Sequence, residues 1–139
     1  MTETQLFLDT NVFLRFLTAD QEQMAEDCRR LFERAEDGEF QLHTSHLALA
    51  EIVWTLQSYY RVPRGEVAAM LRDLLALRSL RVDQKEMLRE VVDLYASTNV
   101  DFIDAYHALD VRRRGIDRIC SYDRDFDSLA MVRVDPAGV

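Results

Sequence analysis

The feature that most constrains this chain lies at its start. A short apolar run, Gln5-Leu6-Phe7-Leu8, stops at Asp9-Thr10-Asn11 and gives way to a second apolar stretch, Val12-Phe13-Leu14-Arg15-Phe16-Leu17. The first run is too short for a helix and reads as a buried strand. Asp, Thr and Asn are helix-capping residue types, so the stretch after them reads as a helix. A strand passed directly to a helix through an acid suits an α/β fold, where ligands sit at the carboxyl edge of the strands.

The same alternation continues along the chain. Met24, Cys28, Leu31, Phe32 and Ala35 recur at helical spacing until Gly38, and Phe40 to His43 reads as a strand. Ser45 caps an apolar helix running to about Tyr60, with Pro63 at the turn after it. Val67, Met70, Leu71, Leu74 and Leu75 mark a further helix, and Leu80 to Val82 a short strand. Residues 84–97 form the next helix, and Asp101 caps one that ends at Gly115. Strands over Arg118–Ser121 and Met131–Val134 flank a tight turn at Asp123–Phe126. This order predicts a three-layer α/β/α sandwich with a central, mainly parallel sheet. With 139 residues and no repeat or linker, a single domain over 1–139 is expected, long enough to bury a core without staples.

Composition narrows the function. A hydrophobic content of 48% excludes disorder, and four Gly with two Pro exclude collagen-like and linker-like chains. No apolar run approaches the ~18 residues of a membrane span. No basic-then-apolar leader opens the chain, so a cytoplasmic protein without membrane contact is expected. Cys28 and Cys120 are too few for a disulfide framework, and His43 and His46 lack the partners of a zinc site. The net charge of −8 disfavours sequence-independent nucleic-acid binding. It suits a protein that concentrates carboxylates around a metal or docks a basic partner.

Four acids stand out. Asp9 ends the first strand, and Asp123 follows the strand near Cys120 and Ser121. Asp104 lies in the first turn of a helix between Ile103 and Ala105. Glu51 shares a helix side with Leu47, Ala50 and Trp54, and a carboxylate on an apolar stripe must be paired, protonated or bound to a cation. Each has a plain alternative: Asp9 and Asp101 as caps, Asp123 in an Asx-turn, Glu51 paired with a buried arginine. Capping does not explain why two strand ends and two helix starts all carry acids that this topology would bring to one edge. Carboxylates so gathered need a cation to ionise together, and all-oxygen donors select Mg²⁺ or Mn²⁺.

Taken in series, Asp9-Thr10-Asn11-Val12, Glu51 in its Ser-started helix, Asp101-Phe102-Ile103-Asp104-Ala105, and Ser121-Tyr122-Asp123-Arg124-Asp125-Phe126 resemble the PIN-domain family. More closely, the chain resembles the VapC-type toxins of prokaryotic toxin–antitoxin pairs. The resemblance spans essentially the whole length. It implies an Mg²⁺- or Mn²⁺-dependent endoribonuclease in which metal-activated water cleaves the RNA phosphodiester, leaving 5′-phosphate and 3′-hydroxyl ends. Asp9, Glu51, Asp104 and Asp123 fall on the family's acidic quartet and on its metal ligands. Thr10, Asn11 and Ser121 match the polar residues that hold the carboxylates, with Asp101 and Asp125 as nearby acids. A homodimer and a cognate antitoxin are further implications.

Other readings remain open. A haloacid-dehalogenase-like phosphotransferase also opens with an Asp after a strand, but its second acid two residues on is replaced here by Asn11. A receiver domain fails for want of an acidic pair after the first strand. A PIN-fold nuclease of RNA processing without an antitoxin, or a non-catalytic PIN binding module, stays in play. His107, one turn past Asp104, reads as a surface or packing residue. Arg112-Arg113-Arg114 reads as cations meeting a helix C-terminus. The helices at 45–60 and 64–77 carry more apolar surface than one small sheet covers, which points to a partner.

Overall fold

The computed structural model describes residues 4–139. Contacts group the chain into two compact units, one ending at Lys85 and the other running from Glu86 to Val139. In the first, strands β1 (Thr4–Phe7), β2 (Phe40–His43) and β3 (Leu80–Arg81) alternate with helices α1 (Thr10–Thr18), α2 (Glu22–Glu36), α3 (His46–Ser58) and α4 (Arg64–Ala76). The strands pair in parallel in the order β1-β2-β3, with Phe7 opposite His43 and His43 opposite Arg81. Parallel neighbours need a helical crossover, which α1–α2 and α3–α4 supply. Both crossovers step the same way across the sheet, so the right-handed rule lays both helix pairs over one face.

That geometry revises one expectation. The first strand is not a buried one: Leu6 is half-buried and the other three residues of β1 are exposed. Leu42 and Leu80 are fully buried and Leu8 is 4% exposed, whereas Phe7, one residue on, is 64% exposed. Side chains alternate faces along a strand, so Gln5, Phe7, Gln41, His43 and Arg81 share the side that this unit's helices leave open. Beneath the covered face, Phe32 packs at 5.9 Å from Phe13 and 4.6 Å from Phe16, centroid to centroid. Ile52, Val53 and Leu56 of α3 and Val67, Leu71, Leu74 and Leu75 of α4 complete this core. Each such fully buried side chain contributes roughly 1.5–3 kcal/mol of transfer free energy.

In the second unit, α5 (Lys85–Ser97) and α6 (Phe102–Arg113) precede β4 (Arg118–Cys120), a 3-10 turn (Arg124–Ser128), β5 (Val132–Val134) and a closing 3-10 turn (Pro136–Gly138). β4 and β5 pair in parallel, Arg118 opposite Val132. Tyr95 and Phe102, both buried, meet edge to face at 5.8 Å. Gly115 ends α6 with φ +77°, a left-handed conformation that costs glycine no Cβ clash. Every strand pair among the described residues is parallel, and the α/β class read from the sequence holds. The ladders number two, a three-stranded and a two-stranded one.

Candidate active site

In the first unit, Asp9 takes the N-cap position of α1 with extended backbone angles, φ −76° and ψ 159°, yet makes no side-chain cap hydrogen bond. Its carboxylate is therefore not spent on the helix end, and Asp9 is exposed. Thr10, buried in the first turn of α1, donates its Oγ1 hydrogen to Glu51 Oε1 at 2.7 Å. Ser45 caps α3 as expected, accepting from the Ala48 amide at 3.1 Å, and so fixes the phase that presents Glu51. The stripe shared by Leu47, Glu51 and Trp54 faces outward: Leu47 is 82% and Trp54 69% exposed, and Glu51 is exposed with them. Glu51 thus finds a threonine hydroxyl rather than a buried arginine. Asn11 is exposed and lines a different hollow with Val12, Arg15, Met24, Asp27 and Cys28.

In the second unit, α6 begins at Phe102, with Asp101 at its N-cap and Asp104 in the first turn. Asp101 makes no side-chain cap bond either. Asp104, Asp123 and Asp125 each bring a carboxylate oxygen within 4.8 Å of the others. The loop after β4 builds this cluster. Ser121 Oγ accepts from the Asp123 amide at 2.9 Å, and Asp123 Oδ1 accepts from the Asp125 amide at 2.9 Å. The second bond is the Asx-turn foreseen for Asp123, and it leaves Oδ2 of that carboxylate outside the turn. Arg133 braces the loop from β5, donating to the Ser121 carbonyl at 2.9 Å and to Asp127 at 2.8 Å. Nothing in the sequence pointed to Arg133, because its role depends on the β4–β5 pairing.

Burial, then the neighbouring Asp123 and Asp101 charges, push the Asp104 carboxyl above the usual range. A shared cation would reverse that penalty, and carboxylate oxygens suit a hard divalent ion. Asp104, His107, Cys120, Ser121 and Asp123 line one hollow of about 340 Å³, so His107 lies at the cluster's side although it is exposed. The arginine run is largely engaged: Asp110 accepts from Arg113 at 2.9 Å and from Arg114 at 3.0 Å.

The sequence profile of the PIN domain matches residues 6–131. The chain belongs to the PIN-domain family. Both constellations lie within the matched stretch. The chain is similar to a protein described as VapC ribonuclease from Aquifex aeolicus (strain VF5), at 26% identity over 129 residues, or 93% of this chain and 95% of that one. A solved structure, the Mycobacterium tuberculosis toxin VapC20 described as Sarcin-Ricin loop cleaving, is 20% identical, with 94% of this chain and 99% of that chain covered and a TM-score of 0.43.

Proposed function

We propose that this PIN domain is a metal-dependent endoribonuclease and the toxin of a VapBC-type toxin–antitoxin pair. The observation that carries the reading is the Asp104–Asp123–Asp125 cluster, whose oxygens lie within 4.8 Å of one another inside a PIN-matched chain. The similarity to a VapC ribonuclease over 93% of the chain supports the choice of RNA and of the toxin class. Asp9, Glu51, Asp104 and Asp123 are proposed to serve the same cleavage, within a single PIN domain over 1–139. Asp104, Asp123 and Asp125 would hold Mg²⁺ or Mn²⁺, and Asp9 and Glu51 are proposed as further metal ligands.

A divalent ion bound by such carboxylates supplies charge neutralisation for the phosphate and lowers the cost of generating hydroxide from water. The chain's own groups do the rest. Thr10 fixes the Glu51 carboxylate, leaving Glu51 Oε2 outside that bond to orient water or a ligand. Ser121 and Arg133 hold the loop so that Asp123 and Asp125 face Asp104 at fixed separation. Asp9, free of a capping bond, keeps both oxygens for the reaction. Thr10, Asn11, Asp101, Ser121 and Asp125 are proposed as supporting polar residues.

The partners proposed are the RNA substrate, a cognate antitoxin and a second copy of the chain, in the cytoplasm. No helix among the described residues is long and apolar enough to cross a membrane. Exposed Leu47, Trp54 and Tyr59 on and after α3 support a protein partner. The test is cleavage of total RNA by the purified chain with Mg²⁺, Mn²⁺ or chelator, beside Asp9→Asn and Asp104→Asn. Discrete metal-dependent fragments that vanish in both variants are expected. Metal-independent fragments that persist in both would overturn the reading.

A further inference from the structure

The open face of the three-stranded sheet carries a polar hollow of about 590 Å³, lined by Phe7, Gln41, His43, Thr44, Arg81, Val82 and Asp83. Its volume lies within the range of small-ligand sites. Three features set it apart from ordinary surface. Phe7 is 64% exposed although it sits in a strand, an unfavourable position for a ring with nothing against it. His43, next to it in register, has its Nε2 buried without a hydrogen-bond partner. Such an orphaned polar atom is uncommon and calls for an explanation. Arg81, next to His43 in register, is oriented from one side: the Gln41 side-chain oxygen accepts from its Nη2 at 3.1 Å and its Nε at 3.2 Å. That leaves Nη1 for an anion.

We propose that this hollow holds one nucleotide of single-stranded RNA next to the cleavage site. The base stacks on Phe7, its phosphate meets Arg81, and the Asp83 carboxylate takes a ribose hydroxyl or base-edge amine. A flat aromatic, a guanidinium and acceptors for hydroxyl or amine protons match the three parts of a nucleotide and no single simpler ligand. Asp83 argues against inorganic phosphate alone, because a carboxylate repels an anion that brings no donor of its own. Position supports the assignment as well. Asp9 follows Phe7 by two residues, just beyond the end of β1, about 7 Å away at ~3.3 Å per extended residue. A strand of RNA whose scissile phosphate lies at Asp9 would pass its neighbouring nucleotide over Phe7. The inference rests on the ribonuclease reading for its ligand class.

The experiment is fluorescence anisotropy of a fluorescein-labelled, single-stranded 12-nucleotide RNA containing all four bases, titrated with the full chain in chelator. Wild type is compared with Phe7→Ala and Arg81→Gln, both at exposed positions, with unchanged far-UV circular dichroism as the folding check. Each substitution is expected to weaken binding at least fivefold. Arg81→Gln alone is expected to flatten the dependence of log affinity on log salt, by about 0.7 for one lost phosphate contact. Affinity unchanged in both variants, or no binding by wild type, would overturn the subsite. Binding that is lost in the variants of a chain that cleaves in no metal sinks the nuclease reading and keeps the subsite. Cleavage by a chain whose affinity ignores both substitutions does the reverse.

Discussion

Thr10 Oγ1 and Glu51 Oε1, 41 positions apart in sequence, lie 2.7 Å apart and join the first turn of α1 to α3. A threonine in that turn is a helix-start residue by type, but here its hydroxyl reaches across to another helix. The bond holds a solvent-facing carboxylate in one rotamer, which is what a metal or substrate ligand needs and a surface glutamate otherwise lacks.

Replacing Thr10 by valine keeps the shape and removes the donor. Cleavage is expected to fall roughly tenfold, about 1.4 kcal/mol in the barrier, whereas Thr10→Ser retains most of the rate. A stability loss of about 1 kcal/mol accompanies Thr10→Val. Initial-rate measurements with paired thermal melts check both. Equal rates for valine and wild type would mean that Glu51 needs no positioning.

Asp104 predicts a metal effect on stability. Its carboxyl is held above the usual range by burial and by Asp123 and Asp101, so the charged form is unfavourable in the metal-free chain. Asp104→Asn is therefore expected to raise the melting temperature in chelator. Mn²⁺ at a hundredfold excess over its dissociation constant should stabilise wild type by about 2.7 kcal/mol. It should leave Asp104→Asn nearly unmoved. Scanning calorimetry with and without Mn²⁺ reads both effects, and equal stabilisation of the two proteins would remove Asp104 from the metal site.

Much of this was legible in the sequence, for identifiable reasons. Gly38, Pro63 and Gly115 punctuate the chain where the backbone turns, so the element order followed from local signals. Ser45 and the Asp123 turn were readable for the same reason, because each bond spans two or three residues. The exposure of β1 is not legible in its apolar run, because the helical crossovers' common hand decides which face is covered. Glu51 stands out in the sequence as an acid on an apolar stripe, and that stripe faces solvent. Periodicity groups Leu47, Ala50 and Trp54 on one side without saying whether that side meets the core. Arg133 and the orphaned His43 nitrogen were invisible, since each depends on strand partners far along the chain.

Asp110 gives a pH prediction. Burial alone would raise its carboxyl, but the Arg113 and Arg114 guanidinia outweigh this and hold it below the usual range. The unfolded chain then binds the extra proton between the folded value and about 3.9. The stabilisation is complete above that range and is lost as pH falls through the folded value. Asp110→Asn is expected to cost about 1–2 kcal/mol at pH 7 and to show a shallower fall in stability below pH ~4. Urea unfolding at pH 7 and at acid pH tests this. Parallel losses in the two proteins would show that the pair carries no pH-dependent stability.

Trp54 and Leu47 permit a separation of folding from assembly. At 69% and 82% exposure, neither ring nor branch contributes much to the core of the isolated chain. Trp54→Ser is therefore expected to change unfolding free energy by less than about 0.5 kcal/mol. Large aromatic side chains dominate the binding energy of protein interfaces, so the same change should weaken self-association at least tenfold if this face joins two copies. Sedimentation equilibrium across protein concentration measures the association, and chemical denaturation of the dilute chain measures the fold. A tenfold weaker dimer with an unchanged unfolding curve places the interface on α3. An unchanged dimer leaves that face to a different protein, whose basic side chains would meet the exposed Glu51 between Leu47 and Trp54.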